Sequence, residues 1–305
     1  MKPRVSICIP AYKQPESLKT LLDSISTQNF NDYEIIITDD SPDNILENII
    51  AEFEPKEKLR YIKNKRRLNS PENWNESMRH AKGEYVKIIH HDDSFANEYS
   101  LARYVEMLDK NPKSNFAFSS SISLKSDKTV AFIFEQTKNQ LTNLKNNPDY
   151  LFKGNVIGAP STTIFRNGMN MWFDQEMRWL VDIDFYIRML RQTGGSYVYS
   201  SEPLVRIGGD MDKRITSEYI GNKEAEIKEY LYLYRKLAGH DRFKIKYLIV
   251  ICRILIKHKI TTADIKRLNF PSQKNIDPVV ITAYLSIVIN YILSYTKKCI
   301  ALFKK

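Results

Sequence analysis

Cysteine is scarce: there are three in 305 residues. Cys8, Cys252 and Cys299 lie far apart, each in apolar sequence. Their separation offers no disulfide framework and no zinc-binding spacing, and it fits a reducing compartment. A charged n-region, an apolar h-region and a small-residue cleavage site are all missing from the start of the chain, where Met1 leads straight into a strand pattern. The expectation is a protein kept in the cytoplasm. Internal repeats and low-complexity tracts are absent as well. So is a glycine- and basic-rich phosphate loop after the first strand, where Ala11-Tyr12-Lys13-Gln14 stands instead.

What is present is a large apolar fraction, 43% of residues. A chain of this length and content buries a substantial core, as one large domain with an appendage or as two modest domains. The net charge of +10 is unevenly placed. Residues 211–305 hold 19 Lys and Arg against 8 Asp and Glu, a net of +11, which leaves the first 210 at −1. An anionic partner for the C-terminal third follows, either nucleic acid or an acidic membrane surface.

Val5-Ser6-Ile7-Cys8-Ile9-Pro10 reads as a strand stopped by proline. Leu18, Leu21, Leu22 and Ile25 recur at helical spacing between Glu16 and Gln28. Tyr33 to Thr38 is a second apolar run, Asn44 to Phe53 a second helix, and Leu59 to Lys63 a third strand. A short helix from Asn73 to Ala81 closes at Gly83, before the run Tyr85 to Ile89. Beyond these, Phe116–Phe118 and Val130–Phe134 suggest a hairpin around 125–128, and Trp179 to Arg191 reads as a helix. Strands alternating with helices predict a mostly parallel α/β sheet with helices on both faces. Ligands in such sheets bind beyond the carboxyl ends of the strands. The turns at Ala11-Tyr12-Lys13, Asp39-Asp40 and Asp92-Asp93 should therefore share one edge.

Asp92 and Asp93 end a buried strand, where adjacent carboxylates repel and lose hydration. A divalent cation carrying phosphates would compensate them; the alternative is a solvated turn. Asp39 and Asp40 also follow a buried strand. A carboxylate there can accept the N3–H of uracil or thymine, and Tyr12 on the neighbouring loop offers a face on which a base can stack. Helix capping is the plain alternative, and Asp43 is placed to provide it before Ile45. Lys65, Arg66 and Arg67 supply positive charge suited to a diphosphate or form a solvated turn. Asp182 opens the helix 179–191, where the dipole favours a carboxylate ready to take a proton. Asp184 points to a different face. Taken without context, ordinary enrichment of acids at helix starts is the simpler account of such a pair.

Three segments together, Val5 to Tyr12, Glu34 to Asp43, and Ala81 to Val86 leading to Asp92-Asp93, resemble the inverting family 2 glycosyltransferases of GT-A fold in both order and spacing. The similarity covers about residues 4 to 210. It implies a GT-A-type α/β fold with a catalytic domain over 1–210, while the charge and apolar pattern of 211–305 suggest a basic, helical C-terminal region suited to peripheral membrane contact or oligomerisation. It also implies a nucleotide-diphosphate sugar donor, Mn²⁺ or Mg²⁺, and a glycan or lipid-linked acceptor, as in bacterial surface polysaccharide synthesis (O-antigen or capsule). On the positions that match, Pro10, Tyr12, Asp39, Asp40, Asn73 and Asp92 fall at the donor nucleotide, and Asp93 with Asp92 at the metal. Asp182 falls at the catalytic base. Gly158, Ser161, Thr162 and Trp179 fall on the acceptor side, and Arg206 or Arg214 near the diphosphate. The sequence departs from the pattern where family members often carry an acid two residues before the first metal-motif Asp. His90 stands there. Val181 replaces an acid common just before the base, and Ile207-Gly208-Gly209 follows Arg206 where some members place a His.

Val279 to Thr296 carries no charge for 18 residues, long enough to raise a membrane span. Thr282, Ser286, Asn290 and Ser294 recur every four residues, and Lys297 and Lys298 follow. An interfacial or packed helix fits that stripe better than a span, and the protein is expected in the cytoplasm or peripheral on the membrane's cytoplasmic face. Two other classes compete. A nucleotidyltransferase also uses paired acids but would show the missing phosphate loop. A nucleic-acid-binding protein would use the basic tail, which lacks aromatics interleaved with Lys and Arg in a recognised module. The reading adopted from sequence is therefore a transferase without a nucleic-acid partner.

Overall fold

The computed structural model describes residues 2–208, 222–238 and 245–258. The chain divides into two compact units, 1–217 and 218–305.

The first unit opens with β1 (Val5–Ala11), α1 (Pro15–Ser26), β2 (Tyr33–Asp39), α2 (Glu47–Ala51), β3 (Leu59–Lys63), α3 (Glu72–Arg79) and β4 (Tyr85–Ile88). Every residue of β1 is buried, as expected of a parallel strand covered on both faces. Pro15 starts α1, where a missing N–H leaves no helical bond unmade, and Leu18, Leu21, Leu22 and Ile25 bury its inner stripe. Pro10 is tolerated within β1 because β4 pairs only as far as Cys8, so the absent donor falls beyond that ladder. Gly83 is obligatory: a Cβ there would lie 2.5 Å from the Ser6 nitrogen.

β1 pairs in parallel with β2 on one side and β4 on the other, and β2 with β3. The order β3-β2-β1-β4 means the winding reverses between β1 and β4. A crevice opens at the carboxyl ends of strands where such a reversal occurs.

The remaining strands are β5 (Ser94–Phe95), β6 (Phe116–Leu124), β7 (Val130–Phe134), β8 (Thr163–Arg166) and β9 (Val198–Ile207). They extend the sheet in the order β4-β8-β6-β9-β5, with β7 beside β6. Here the sheet is mixed. β6 and β7 form the expected hairpin and are antiparallel, β8 runs against both β4 and β6, and β5 runs against β9, while β6 and β9 are parallel. Helices α4 (Ser100–Asp109), α5 (Lys138–Asn146) and α6 (Val181–Gln192) also belong to this unit. The helix expected over 44–53 is confined to 47–51; Asp43 accepts the Ile45 N–H at 3.4 Å as a turn bond, and Leu46 opens the helix without a side-chain cap.

In the second unit, helices Lys223–Ala238 and Ile245–Lys257 are described. Buried Glu226 accepts from Lys257 at 3.2 Å and lies 2.5 Å from His258. Burial pushes the thiols of Cys8 and Cys252 up, which keeps them inert. No described helix is long and apolar enough to cross a membrane. Arg214, Cys299 and the stretch 279–296 lie outside the described residues.

Candidate active site

The ends of β1, β2 and β4 meet at the reversal point, and asparagine and aspartate side chains stitch them together. Asn73, buried in α3, donates to the carbonyls of Ala11 and Thr38 at 3.2 and 3.1 Å and accepts from the Asn64 amide at 2.8 Å. Asp39 is sealed from solvent. Its Oδ1 accepts from the Ser41 N–H, and its Oδ2 from the Tyr61 hydroxyl and Lys63, each at 2.8 Å. Asp40 Oδ1 accepts from the Leu68 N–H at 2.7 Å and the Asn64 amide at 3.0 Å, and Oδ2 from the Asn69 N–H at 2.7 Å. A carboxylate has about four acceptor positions, so Asp40 retains one after clamping the 64–69 loop. Tyr12 is half-buried, with the Arg67 guanidinium 4.5 Å and the Lys13 ammonium 5.3 Å from its ring centre. One cation of the 65–67 run thus reaches the aromatic expected to meet a base. Lys13 and Gln14 both adopt left-handed backbone, each with φ 55°, an uncommon pair for residues with side chains. The Lys13 N–H donates to Ser41 Oγ at 2.7 Å.

Asp92 and Asp93 follow β4 and precede β5. One ligand atom each from His90, Asp92 and Asp93 lies within 4.8 Å of the others, a grouping that could hold a metal ion. Asp93 Oδ1 accepts the Gly208 N–H at 2.9 Å. A Cβ on Gly208 would sit 2.2 Å from the Asp92 carbonyl oxygen, so this position after β9 leaves no room for a side chain. The His90 N–H donates to Ser161 Oγ at 2.9 Å, and its ring packs 4.5 Å from that of Trp74. Its Nε2 is buried without a hydrogen-bond partner, and burial pushes the imidazole's pKa down, which keeps it neutral. A neutral ring nitrogen beside two carboxylates fits a divalent cation. His91 turns Nδ1 toward the Pro10 carbonyl at 3.3 Å.

Beneath this group lies Lys87, fully buried in β4. Its ammonium donates to the Ser161 carbonyl and sits 4.5 Å from the centre of the Tyr104 ring. Burial lowers its pKa to about 7, against the opposing pull of Asp93.

The segment 155–162, expected on the acceptor side, joins the same assembly. Asp182 lies in the first turn of α6; its Oδ2 accepts from the Asn155 amide at 2.7 Å, and Oδ1 from the Ile183 N–H at 2.8 Å. Asn155 also donates to the Gly158 carbonyl and accepts the N–H groups of Ile157 and Gly158, all at 2.9 Å. Tyr186 donates to that Gly158 carbonyl at 3.1 Å. The Thr162 hydroxyl bonds back to the Ala159 carbonyl at 2.8 Å, and Ser161 holds His90. A bonded path therefore runs from Asp182 through Asn155 and the 155–162 turn to the group of His90, Asp92 and Asp93. Asp184, by contrast, is fully buried and pairs with Arg188 at 2.6 Å. Trp179 is half-buried just before α6. Arg206 is exposed on β9 opposite Ser94, donating to the Phe95 carbonyl at 3.1 Å.

The residues the sequence did not single out are Lys87, Asn64 and Asn155. Lys87 had a signal, a charge inside an apolar strand. The asparagines had none, because their role is to fasten loops distant in sequence.

A sequence profile described as Glycosyl transferase family 2 matches residues 6–171. An uncharacterized glycosyltransferase of Methanocaldococcus jannaschii is 28% identical over 193 residues, covering 62% of this chain and 65% of the relative. The chain spans just under two thirds of the length of the first curated relatives it matches, 65% to 66%. Among solved structures, residues 1–349 of S. aureus TarS in complex with UDP-GlcNAc superimpose with a TM-score of 0.61 at 17% identity, over 92% of this chain and 79% of that one. A Pyrobaculum calidifontis mannosyltransferase in complex with GDP-Man and Mn²⁺ gives 0.57 at 15% identity, over 97% and 81%. These likenesses establish the GT-A-like fold.

Proposed function

The chain belongs to glycosyl transferase family 2, and from that premise we propose that it is an inverting, cation-dependent transferase. It moves a sugar from a UDP- or dTDP-linked donor to a hydroxyl of a glycan or lipid-linked oligosaccharide, as in bacterial surface polysaccharide synthesis. The reading rests chiefly on one observation: the bonded path that ties Asp182 to the His90, Asp92 and Asp93 group at the sheet's reversal point.

Tyr12 receives the base, and the open acceptor position of Asp40 takes its N3–H while the 64–69 loop stays clamped. Arg67 lies beside Tyr12 and meets the diphosphate; Arg206, near the end of β9, is a second cation on the same rim. Asp39 and Asn73 contribute by holding the strand ends in place. A divalent cation, Mn²⁺ or Mg²⁺, held by Asp92 and Asp93 would supply the charge that neutralises the departing diphosphate. On the opposite face of the sugar, Asp182 takes the proton of the acceptor hydroxyl as its oxygen bonds to the anomeric carbon. The bond from that carbon to the diphosphate oxygen breaks in the same step, and the configuration inverts. Asn155 aims Asp182, while Gly158, Ser161, Thr162 and Trp179 shape the acceptor side.

The test pairs binding with turnover. A thermal-shift panel of nucleoside diphosphates and their sugars, with and without Mn²⁺, ranks the bases, since stabilisation grows with ligand concentration over affinity. With the donor so found, Asp182→Asn should lower transfer by about 10²- to 10⁴-fold and leave donor binding unchanged. Retained turnover would remove Asp182 as the base.

A further inference from the structure

We propose that His90 supplies a nitrogen donor to the cation site it shares with Asp92 and Asp93, so that the site prefers a transition-metal ion such as Mn²⁺ over Mg²⁺. The inference rests on the transferase reading for the site's purpose, but its geometry stands alone.

The three donor atoms lie within 4.8 Å of one another. Two atoms on opposite sides of one ion, each about 2.1 Å from it, are separated by about 4.2 Å, so the grouping needs little adjustment to converge on a single cation. The imidazole is also held in place. Its main-chain N–H is anchored on Ser161 Oγ, its ring rests on Trp74, and Nε2 is buried with no hydrogen-bond partner. A buried ring nitrogen without a partner is costly, and a cation is the partner that this surrounding of carboxylates favours. The neighbouring His91 also has a buried Nε2 without a hydrogen-bond partner, but it lies outside the group and directs Nδ1 to the Pro10 carbonyl. Imidazole nitrogen suits Zn²⁺, Fe²⁺ and Ni²⁺ best and Mn²⁺ less strongly, whereas Mg²⁺ is held by an all-oxygen shell. A ring nitrogen at position 90 therefore biases the site against Mg²⁺.

Mn²⁺ binding to the full chain is followed by the loss of its free-ion resonance signal, in the presence and absence of UDP as a probe diphosphate, with Mg²⁺ as competitor. The expected result is Mn²⁺ held at least about tenfold tighter than Mg²⁺, a preference that His90→Asp reduces at least about fivefold. The bound Mn²⁺ should show nitrogen modulation in pulsed resonance spectra, lost in His90→Asp and kept in His91→Asn. An unchanged preference in His90→Asp, or wild-type Mn²⁺ without nitrogen coupling, would overturn the proposal. The wild-type spectrum decides the matter even if the variant does not fold. None of these measurements needs sugar transfer. Nitrogen-bound Mn²⁺ in a chain that turns over no donor would refute the transferase reading alone.

Discussion

Lys87 is a charged side chain carried into the middle of a sheet. The folded chain holds its proton more weakly than the unfolded chain does. Between about pH 7 and the ordinary lysine value of 10.5, unfolded chains therefore carry more protons, and stability rises with pH across that window. Lys87→Met should flatten this rise, as measured by urea unfolding at several pH values; an identical slope in both proteins would count against a depressed lysine. Asn155 offers a different readout, because it contacts Asp182 and not the nucleotide side. Asn155→Ala should lower kcat by about 10- to 100-fold, the scale of a misplaced catalytic group, while donor affinity holds. A fall in donor affinity with unchanged kcat would contradict the orienting role.

The informative contacts at the scale of elements are those between strand ends. Asn73 on α3 fastens β1, β2 and the 64–69 loop through buried hydrogen bonds. Losing one partner of a buried bond costs about 1–3 kcal/mol, so Asn73→Ala should destabilise the protein by on the order of 3 kcal/mol, seen in thermal unfolding. Gly208→Ala tests the other rim. Its Cβ would collide with the Asp92 carbonyl, so Gly208→Ala should lower the metal-free unfolding temperature and also lose Mn²⁺-dependent stabilisation by nucleoside diphosphate. Periodicity made β1, α1, β2, β3, α3 and β4 readable, because each carries its own apolar stripe or run. The short β5 and the exposed stretches of β9 carry no such signature; partners distant in the chain define them. The same distinction separates Asp92 and Asp93, visible as acids ending a strand, from Asn64 and Asn155, whose meaning lies in what they reach. Asp39 and Asp40 read as ligand-facing acids, yet most of their acceptor positions serve neighbouring loops. Sequence cannot tell a carboxylate bonded inward from one open to a substrate.

Across the whole molecule, the near-neutral first 210 residues contrast with the net +11 of residues 211–305. An anionic surface attracts such a segment by about 1 kcal/mol per nearby basic residue, and salt screens that attraction. The 305-residue chain should co-sediment with anionic vesicles at low ionic strength and be released as salt rises. Removal of residues from Pro278 onward should reduce recovery, and unchanged recovery would exclude that segment from membrane contact.

Lys87, drawn toward Asp93, gives the acidic rim a built-in counter-charge that is complete below about pH 7 and fades above it. That charge would oppose an incoming cation, so a bare metal should be held more loosely than one that arrives with an anionic nucleotide.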